Sequence, residues 1–416
     1  MGIHLEEFIV PQVLNEDVSV TPNFTTQCGL LLTAGHTSSS ATSQLSNGMG
    51  MFTVADEFAV SASSQTIIAT PNSSSVATAK ALTNLHSAGG IDYELAVQAI
   101  TSSILTLRAT DPSPAAKLAA VLCFGGLSET PDLREITISG NNTQTFDLGW
   151  GGAPDLILGM SSWTTATAGS GVENHAHLGF HASTWDGTDE AAGGVFYSAE
   201  DAAGEQNTDT SRAISENTWL IRSEDPSGTR DIQFELEIIH DPAVAGAGKY
   251  QVITTNYSSG GGDCRVYLMA LRGIRAQYVS DDAPTVAHVA HPVTGAGFRP
   301  THVMNWNIEH ETADVVVTHG GFSLYMADAS NNYGIWCRDK TGVAETVTER
   351  RWEDSQFCRA EDHSNSNNRY LSTLTSLGAD GHTETPTVVN TAYKRGFLYL
   401  ADDIRTRRHL PILGTG

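Results

Sequence analysis

The sequence predicts an all-β protein: three tandem antiparallel β-sandwich or jelly-roll-like modules with long loops and few short helices. Repetition is the first reason. Gly151-Gly152-Ala153-Pro154-Asp155-Leu156-Ile157-Leu158 returns as Gly297-Phe298-Arg299-Pro300-Thr301-His302-Val303-Met304, and each copy then reaches a glycine–phenylalanine pair, Gly179-Phe180 or Gly321-Phe322. Both run on to a closing apolar strand, within Cys264–Leu271 or Arg395–Leu400. The second reason is period two. Ile232-Gln233-Phe234-Glu235-Leu236-Glu237-Ile238 alternates apolar and polar residues without a break, as a strand with one wet face does. The third is punctuation: Ser139-Gly140-Asn141-Asn142, Ser258-Ser259-Gly260-Gly261-Gly262-Asp263 and Ala379-Asp380-Gly381 mark close-spaced turns. A chain of 416 residues fits about three domains of ordinary size, which makes the repeat the natural unit of division.

Taken in order, residues 1–17 precede the first repeat and read as an N-terminal arm. Its Phe8-Ile9-Val10-Pro11 could lie extended on a neighbouring subunit or pack on its own module. Module 1, residues 18–130, carries a divergent copy of the pattern in Gly29-Leu30-Leu31-Leu32, Gly50-Met51-Phe52 and Ala119–Gly126. Its stretches 37–47 and 61–75, rich in Ser, Thr, Asn and Ala, read as surface loops or weak strands. Ser75 through His86 reads as a short helix with Val76, Ala79, Leu82 and Leu85 along one face. Module 2, residues 131–277, offers Ile136-Thr137-Ile138 and Tyr250-Gln251-Val252-Ile253 as β-branched strands. Its segment 186–217 reads as one long loop bearing a strand around Val195-Phe196-Tyr197. Module 3, residues 278–405, has a strand candidate at Val315-Val316-Val317, and Phe357 stands where module 2 has Trp219, both as core residues. Pro154 and Pro300 lack a backbone N–H and suit strand entries. Residues 406–416 form a C-terminal tail beside the basic cluster Arg405-Thr406-Arg407-Arg408-His409, a contact for an acidic neighbour or a solvated end.

Bulk chemistry excludes several partners. A net charge of −24 repels phosphate backbones and anionic leaflets, so neither nucleic acid nor membrane is expected as a partner. Five scattered cysteines with no CxxC pair give no zinc ribbon or redox motif, and they fit buried thiols in a reducing compartment. The first residues lack the basic start and apolar stretch of a secretory leader.

The search for chemistry yields two small constellations. Glu173, His175 and His177 alternate along one potential strand face, where imidazoles and a carboxylate could hold a divalent cation; the competing reading is an exposed polar loop. Trp185, Asp186 and Asp189 lie in a polar loop, where an indole face and carboxylates could hold a glycan. His288, His291, His302 and His310 are spread across strands and make a poorer ligand set. No nucleophile elbow, HExxH, phosphate loop or dinucleotide fingerprint occurs, so no catalytic residue and no cofactor is expected.

The repeated motifs resemble a module found in virion proteins of tailed bacteriophages. There a Gly-Phe-x-Pro-x-x-Val strand precedes a Gly-Phe pair and a closing Tyr-Leu-Ala-Leu-Gly-Gly strand. The counterparts here are Gly297–Val303 and Gly321-Phe322, with closing strands Tyr267–Gly273 and Tyr399-Leu400-Ala401. The likeness spans residues 18 to 403 and departs in module 1, where Asn23-Phe24-Thr25-Thr26 replaces the proline-bearing entry. The resemblance implies a non-enzymatic exterior virion protein made in the host cytoplasm. It would be a homo-oligomer bound to other virion proteins, in a tail appendage or as a capsid decoration. Contact with host surface glycan fits the same reading. The alternative is an adhesin-like array of carbohydrate-binding modules, with a polysaccharide hydrolase less favoured.

Overall fold

A computed structural model describes residues 1–38, 41–43, 45–64, 73–86, 90–162, 176–199, 210–224, 230–259, 264–308, 310–319, 321–339, 349–361, 368–390 and 393–401. The strands fall into three sets. The first is β1 (Gly2–Ile9), β2 (Asp17–Val20), β3 (Thr26–Thr33), β4 (Ala41–Ser43), β5 (Leu45–Thr53), β6 (Glu57–Ser64), β7 (Ser73–Thr78), β8 (Leu82–Leu85), β9 (Ile91–Ile100), β10 (Leu105–Asp111) and β11 (Leu118–Gly125). The second is β12 (Asp132–Ile138), β13 (Thr143–Asp147), β14 (Leu156–Ser162), β15 (Ala176–Trp185), β16 (Glu190–Ala199), β17 (Thr210–Glu216), β18 (Trp219–Glu224), β19 (Arg230–Ile239), β20 (Lys249–Ser259) and β21 (Cys264–Leu271). The third is β22 (Arg275–Asp282), β23 (His291–Thr294), β24 (His302–Asn307), β25 (Val317–Thr318), β26 (Gly321–Asp328), β27 (Asn332–Arg338), β28 (Glu349–Glu353), β29 (Cys358–Glu361), β30 (Asn368–Leu377), β31 (Gly381–Val389) and β32 (Lys394–Ala401). No helix occurs among the described residues.

Each set builds the same antiparallel sandwich. The large sheets run β1-β11-β3-β5-β6-β7, β12-β21-β14-β15-β16-β17 and β22-β32-β24-β26-β27-β28; the small ones run β2-β10-β9-β8, β13-β20-β19-β18 and β23-β31-β30-β29. First and last strands of each module lie side by side, so each sandwich closes on itself. Repetition in sequence is therefore repetition in topology. Pro154 and Pro300 stand, buried, just ahead of β14 and β24, where a missing donor costs the ladder nothing. Trp219 and Phe357 are both buried at the entry to equivalent strands, β18 and β29. In β19 the alternation does its expected work, with Phe234, Leu236 and Ile238 buried against the large sheet.

Several local expectations give way to tertiary context. Of the two readings of the first residues, packing on their own module is the one seen for Gly2–Ile9: β1 pairs along its whole length with β11. Module 3 likewise begins at Arg275, because β22 pairs with β32. The segment read as a helix, 75–86, is instead most of β7 and all of β8. Its leucines, Leu82 and Leu85, enter the sandwich as strand residues because β9 offers a ladder and the core offers burial. The expected long loop 186–217 holds two strands, β16 and β17. Gly193-Gly194 looked like loop composition, but the Tyr278 ring crosses over Gly193 and the His181 ring over Gly194, leaving no room for a Cβ at either. Of Val315-Val316-Val317 only Val317 is in a strand, and Val315 stays 42% exposed. The tail 406–416 and its basic cluster lie outside the described residues.

The three sandwiches close into a triangle with one shared interior. A single apolar cluster takes Leu30, Leu32 and Met51 from module 1, Leu158, Leu178 and Phe180 from module 2, and Met304, Trp306 and Leu324 from module 3. Strands are also traded across two seams. β4 of module 1 extends the module 3 sheet by pairing with β28, and β25 of module 3 extends the module 2 sheet by pairing with β17. Both additions cover an otherwise open sheet edge, the usual aggregation liability of β proteins. Each seam also carries specific contacts. The Phe58 and Tyr267 rings meet at 4.9 Å between modules 1 and 2. The Tyr197 hydroxyl donates to Asp339 Oδ2 at 3.0 Å between modules 2 and 3, and the Trp352 indole N–H donates to Glu7 Oε1 at 2.7 Å between modules 3 and 1.

Layer contact within module 1 is closest at Gly50, where a Cβ would run into the Ala81 carbonyl oxygen. Backbone cannot rotate away as a side chain can. Gly50→Ala is expected to lower stability at the upper end of the about 1–3 kcal/mol typical of overpacking. Urea titration reads this directly, and an unchanged midpoint would mean that the two layers are not held at this spacing.

Candidate functional site

Two adjoining clefts open at the meeting of the modules, and Trp185 stands in the wall common to both. The first, about 500 Å³, is lined by Gly126 and Ser128 from the module 1–2 crossover, Ala153, Asp155, Trp185, Asp186 and Gly187 from module 2, and Arg272-Gly273-Ile274 from the module 2–3 crossover. The second, about 430 Å³, shares Asp155, Trp185, Asp186 and Ile274, and adds Asp189, Arg275, Ala276, Gln277 and the Gly295–Phe298 segment. Both volumes fall in the range of small-molecule sites, about 300–1,000 Å³.

Local chemistry explains why the walls stand where they do. Asp155 Oδ2 accepts from the Gly273 and Ile274 backbone N–H groups at 2.6 and 3.2 Å, while its own carbonyl accepts from Trp185 N at 3.0 Å. One aspartate thus fixes both the crossover and the base of the Trp185 turn. Asp186 caps that turn by accepting from Thr188 N at 2.7 Å and Asp189 N at 2.8 Å, a standard aspartate turn. Gly187, at φ +106°, supplies the conformation that the β15–β16 connection requires. Arg272 Nη1 pairs with Glu129 Oε1 at 3.0 Å. Arg275 lies over the Phe298 ring at 4.7 Å and donates to the Gly297 carbonyl at 3.4 Å. The walls are polar and fixed, with charge of both signs.

Trp185 is the exception among its kind. Trp219, Trp306, Trp336 and Trp352 are buried, whereas Trp185 and Trp150 alone among the described tryptophans are partly exposed. Trp150 packs against the module 2 core. The Trp185 indole N–H meets no protein acceptor among the described residues, and its ring faces two polar cavities. All three residues singled out for glycan contact, Trp185, Asp186 and Asp189, line this site. Sequence reasoning missed Asp155, Arg272, Gln277 and Phe298. Asp155 and Phe298 belong to the repeated Gly-x-x-Pro entries, whose repetition signalled structure and hid their place at a seam.

The second constellation comes apart. Glu173 and His175 lie outside the described residues. His177 is buried inside the module 2 sandwich, with Nε2 3.0 Å from Ser161 Oγ and its ring 5.9 Å from that of Phe196. His181 lies four residues further along the same face of β15, 3.4 Å from the same hydroxyl and stacked on Trp219. His240 joins them, 2.9 Å from Ser183 Oγ and 2.8 Å from the Pro154 carbonyl. Burial pulls the pKa of His177 and His240 down to about 4 and that of His181 to about 3, so all three are neutral at pH 7. A serine against an imidazole can make a nucleophile, but Ser161 is sealed between the sheets where no substrate reaches it. Among the described residues no three His, Cys, Asp or Glu side chains converge as a metal site. His291 pairs with Asp281 and His302 with Thr301, so that scattered group does not assemble either.

The chain matches no protein-family profile, no curated protein and no solved structure.

Proposed function

We propose that the protein is a non-enzymatic structural component on the exterior of a tailed-phage particle, in a tail appendage or decorating the head. The observation that carries this is the closed triangle. Three sandwiches share one apolar interior and cap each other's sheet edges, which makes a stiff block suited to repetitive assembly rather than a hinged pair of lobes around a cleft. The repeat resemblance points the same way. Oligomerisation with itself and binding to other virion proteins follow from that role, as does assembly in the host cytoplasm, where the buried thiols Cys28, Cys123, Cys337 and Cys358 stay reduced.

The test is the solution mass of the purified protein together with immunogold labelling of intact particles. A symmetric oligomer with gold on tail or head supports the reading. A monomer with unlabelled particles overturns it. A second reading, a carbohydrate-binding protein, is favoured by the Trp185 clefts alone, and the two are compatible in a protein that touches a host surface.

A further inference from the structure

We infer that the paired clefts around Trp185 bind an uncharged oligosaccharide of at least two sugar rings, one ring on each side of the indole. Sugars present hydroxyls around an edge and an apolar C–H face. A site for them needs fixed polar groups and one exposed aromatic face, with little else apolar. Both clefts have that composition. Their polar groups are immobilised before any ligand arrives: Asp155 by two backbone amides, Asp186 by two more, Arg272 by Glu129, and Arg275 by Phe298 and Gly297. Immobilised walls lower the ordering cost of binding. Backbone lines much of the remaining surface through Gly126, Gly187, Gly273, Gly295 and Gly297, which lets ligand hydroxyls approach peptide groups.

The length of the ligand follows from the shared wall. Trp185, Asp155, Asp186 and Ile274 belong to both cavities, so a ligand filling one continues past the indole into the other. A monosaccharide would leave one cavity empty. The charge of the ligand follows from the protein: at −24 overall, with Arg272 already paired, long-range repulsion disfavours uronate or sialylated chains. Trp185 lines both cavities, and stacking on tryptophan contributes beyond area alone.

The inference stands apart from where the protein sits on a particle, so failure of particle labelling would leave it untouched. The probes are neutral gluco-, galacto- and manno-configured oligosaccharides of one to six sugars, with uronic-acid oligomers of the same lengths, followed by calorimetry and tryptophan fluorescence. Saturable binding of a neutral set is expected, tighter for two or more sugars than for one. Trp185→Ala should weaken it at least tenfold with an unchanged thermal midpoint, and Trp185→Phe should recover part of the loss. Ser128→Trp, which fills the first cleft from the module 1 side while keeping Trp185, should abolish the advantage of longer chains. No saturable binding of any sugar overturns the inference. So does binding indifferent to Trp185→Ala and Ser128→Trp, or a preference for uronates.

Discussion

Acidification is expected to destabilise the protein steeply from just below pH 6.5. Five deeply buried histidines carry the effect. Burial lowers His177, His240 and His302 from 6.5 to about 4, and His181 and His382 to about 3. His36 moves the same way to about 4, by burial first and the Arg350 and Lys117 charges after it. The sign follows from proton counts. Between pH 6.5 and about 4 the unfolded chain holds these protons and the folded chain does not, so falling pH favours unfolding. Each proton contributes about 1.4 kcal/mol per pH unit, so five give a limiting slope of about 7 kcal/mol per unit near pH 5. Set against the about 5–15 kcal/mol stability of an ordinary domain, that slope decides the outcome within one or two units. Glu7, Glu57, Glu94 and Asp314 oppose it, since burial raises their pKa and they take up protons first in the folded state. They act only as pH approaches their own range, after the histidines have begun. Urea midpoints at pH 7.5, 6.5 and 5.5 should be level and then drop; equal midpoints at 7.5 and 5.5 would show that these imidazoles are not sealed from water.

Trp306→Ala is expected to cost about 3–5 kcal/mol, the range for removing a large buried aromatic. Trp306 lies on β24, stacked on Tyr278 at 5.6 Å and met edge-on by Phe180 at 5.5 Å. Phe180 belongs to module 2 and Tyr278 to module 3, and the Tyr278 backbone N–H donates across the seam to Thr184 Oγ1 at 3.1 Å. The truncation therefore opens a cavity in the interior shared by the modules rather than in one sandwich. Calorimetry should show one transition displaced as a whole. Separate transitions, with only one displaced, would mean that the sandwiches melt independently. Trp306→Phe is the control. Its buried indole N–H has no partner among the described residues, so Phe gives up some area but removes an unsatisfied donor, and its cost should be well under that of alanine.

The fold was legible where a pattern has a local cause. The alternation of 232–238 needs one wet and one dry face, and β19 has them. The proline entries at Pro154 and Pro300 lie at equivalent strand starts because a residue without an N–H tolerates few others. Legibility failed where a distant group decides. Leu82 and Leu85 are spaced for a helix, yet β9 supplies a ladder. Gly193-Gly194 is glycine because the rings of Tyr278 and His181 occupy the space. The site divides along the same line. Trp185 is legible because an indole among polar residues has no local packing reason, although it ends β15 rather than lying in a loop. Asp155 and Arg272 meet it through ladders of the module 2 sheet, and Phe298 only where module 3 closes on module 2. His177 reads from sequence as either a strand-face ligand or part of an exposed polar loop; it lies on β15 but buried, and period two does not tell which of two faces points inward.

The traded strands bear on how the chain is made. β4 ends at Ser43, yet its ladder partner β28 begins at Glu349, so the edge of the third sandwich is completed by residues that leave the ribosome long before it. Contacts of such sequence separation form late and slowly. Until β28 emerges, β4 has no partner, and a nascent or truncated chain shows unpaired backbone to its neighbours on the polysome. A chain cut off before Glu349 keeps that edge unpaired for good and should aggregate more than the full-length chain does.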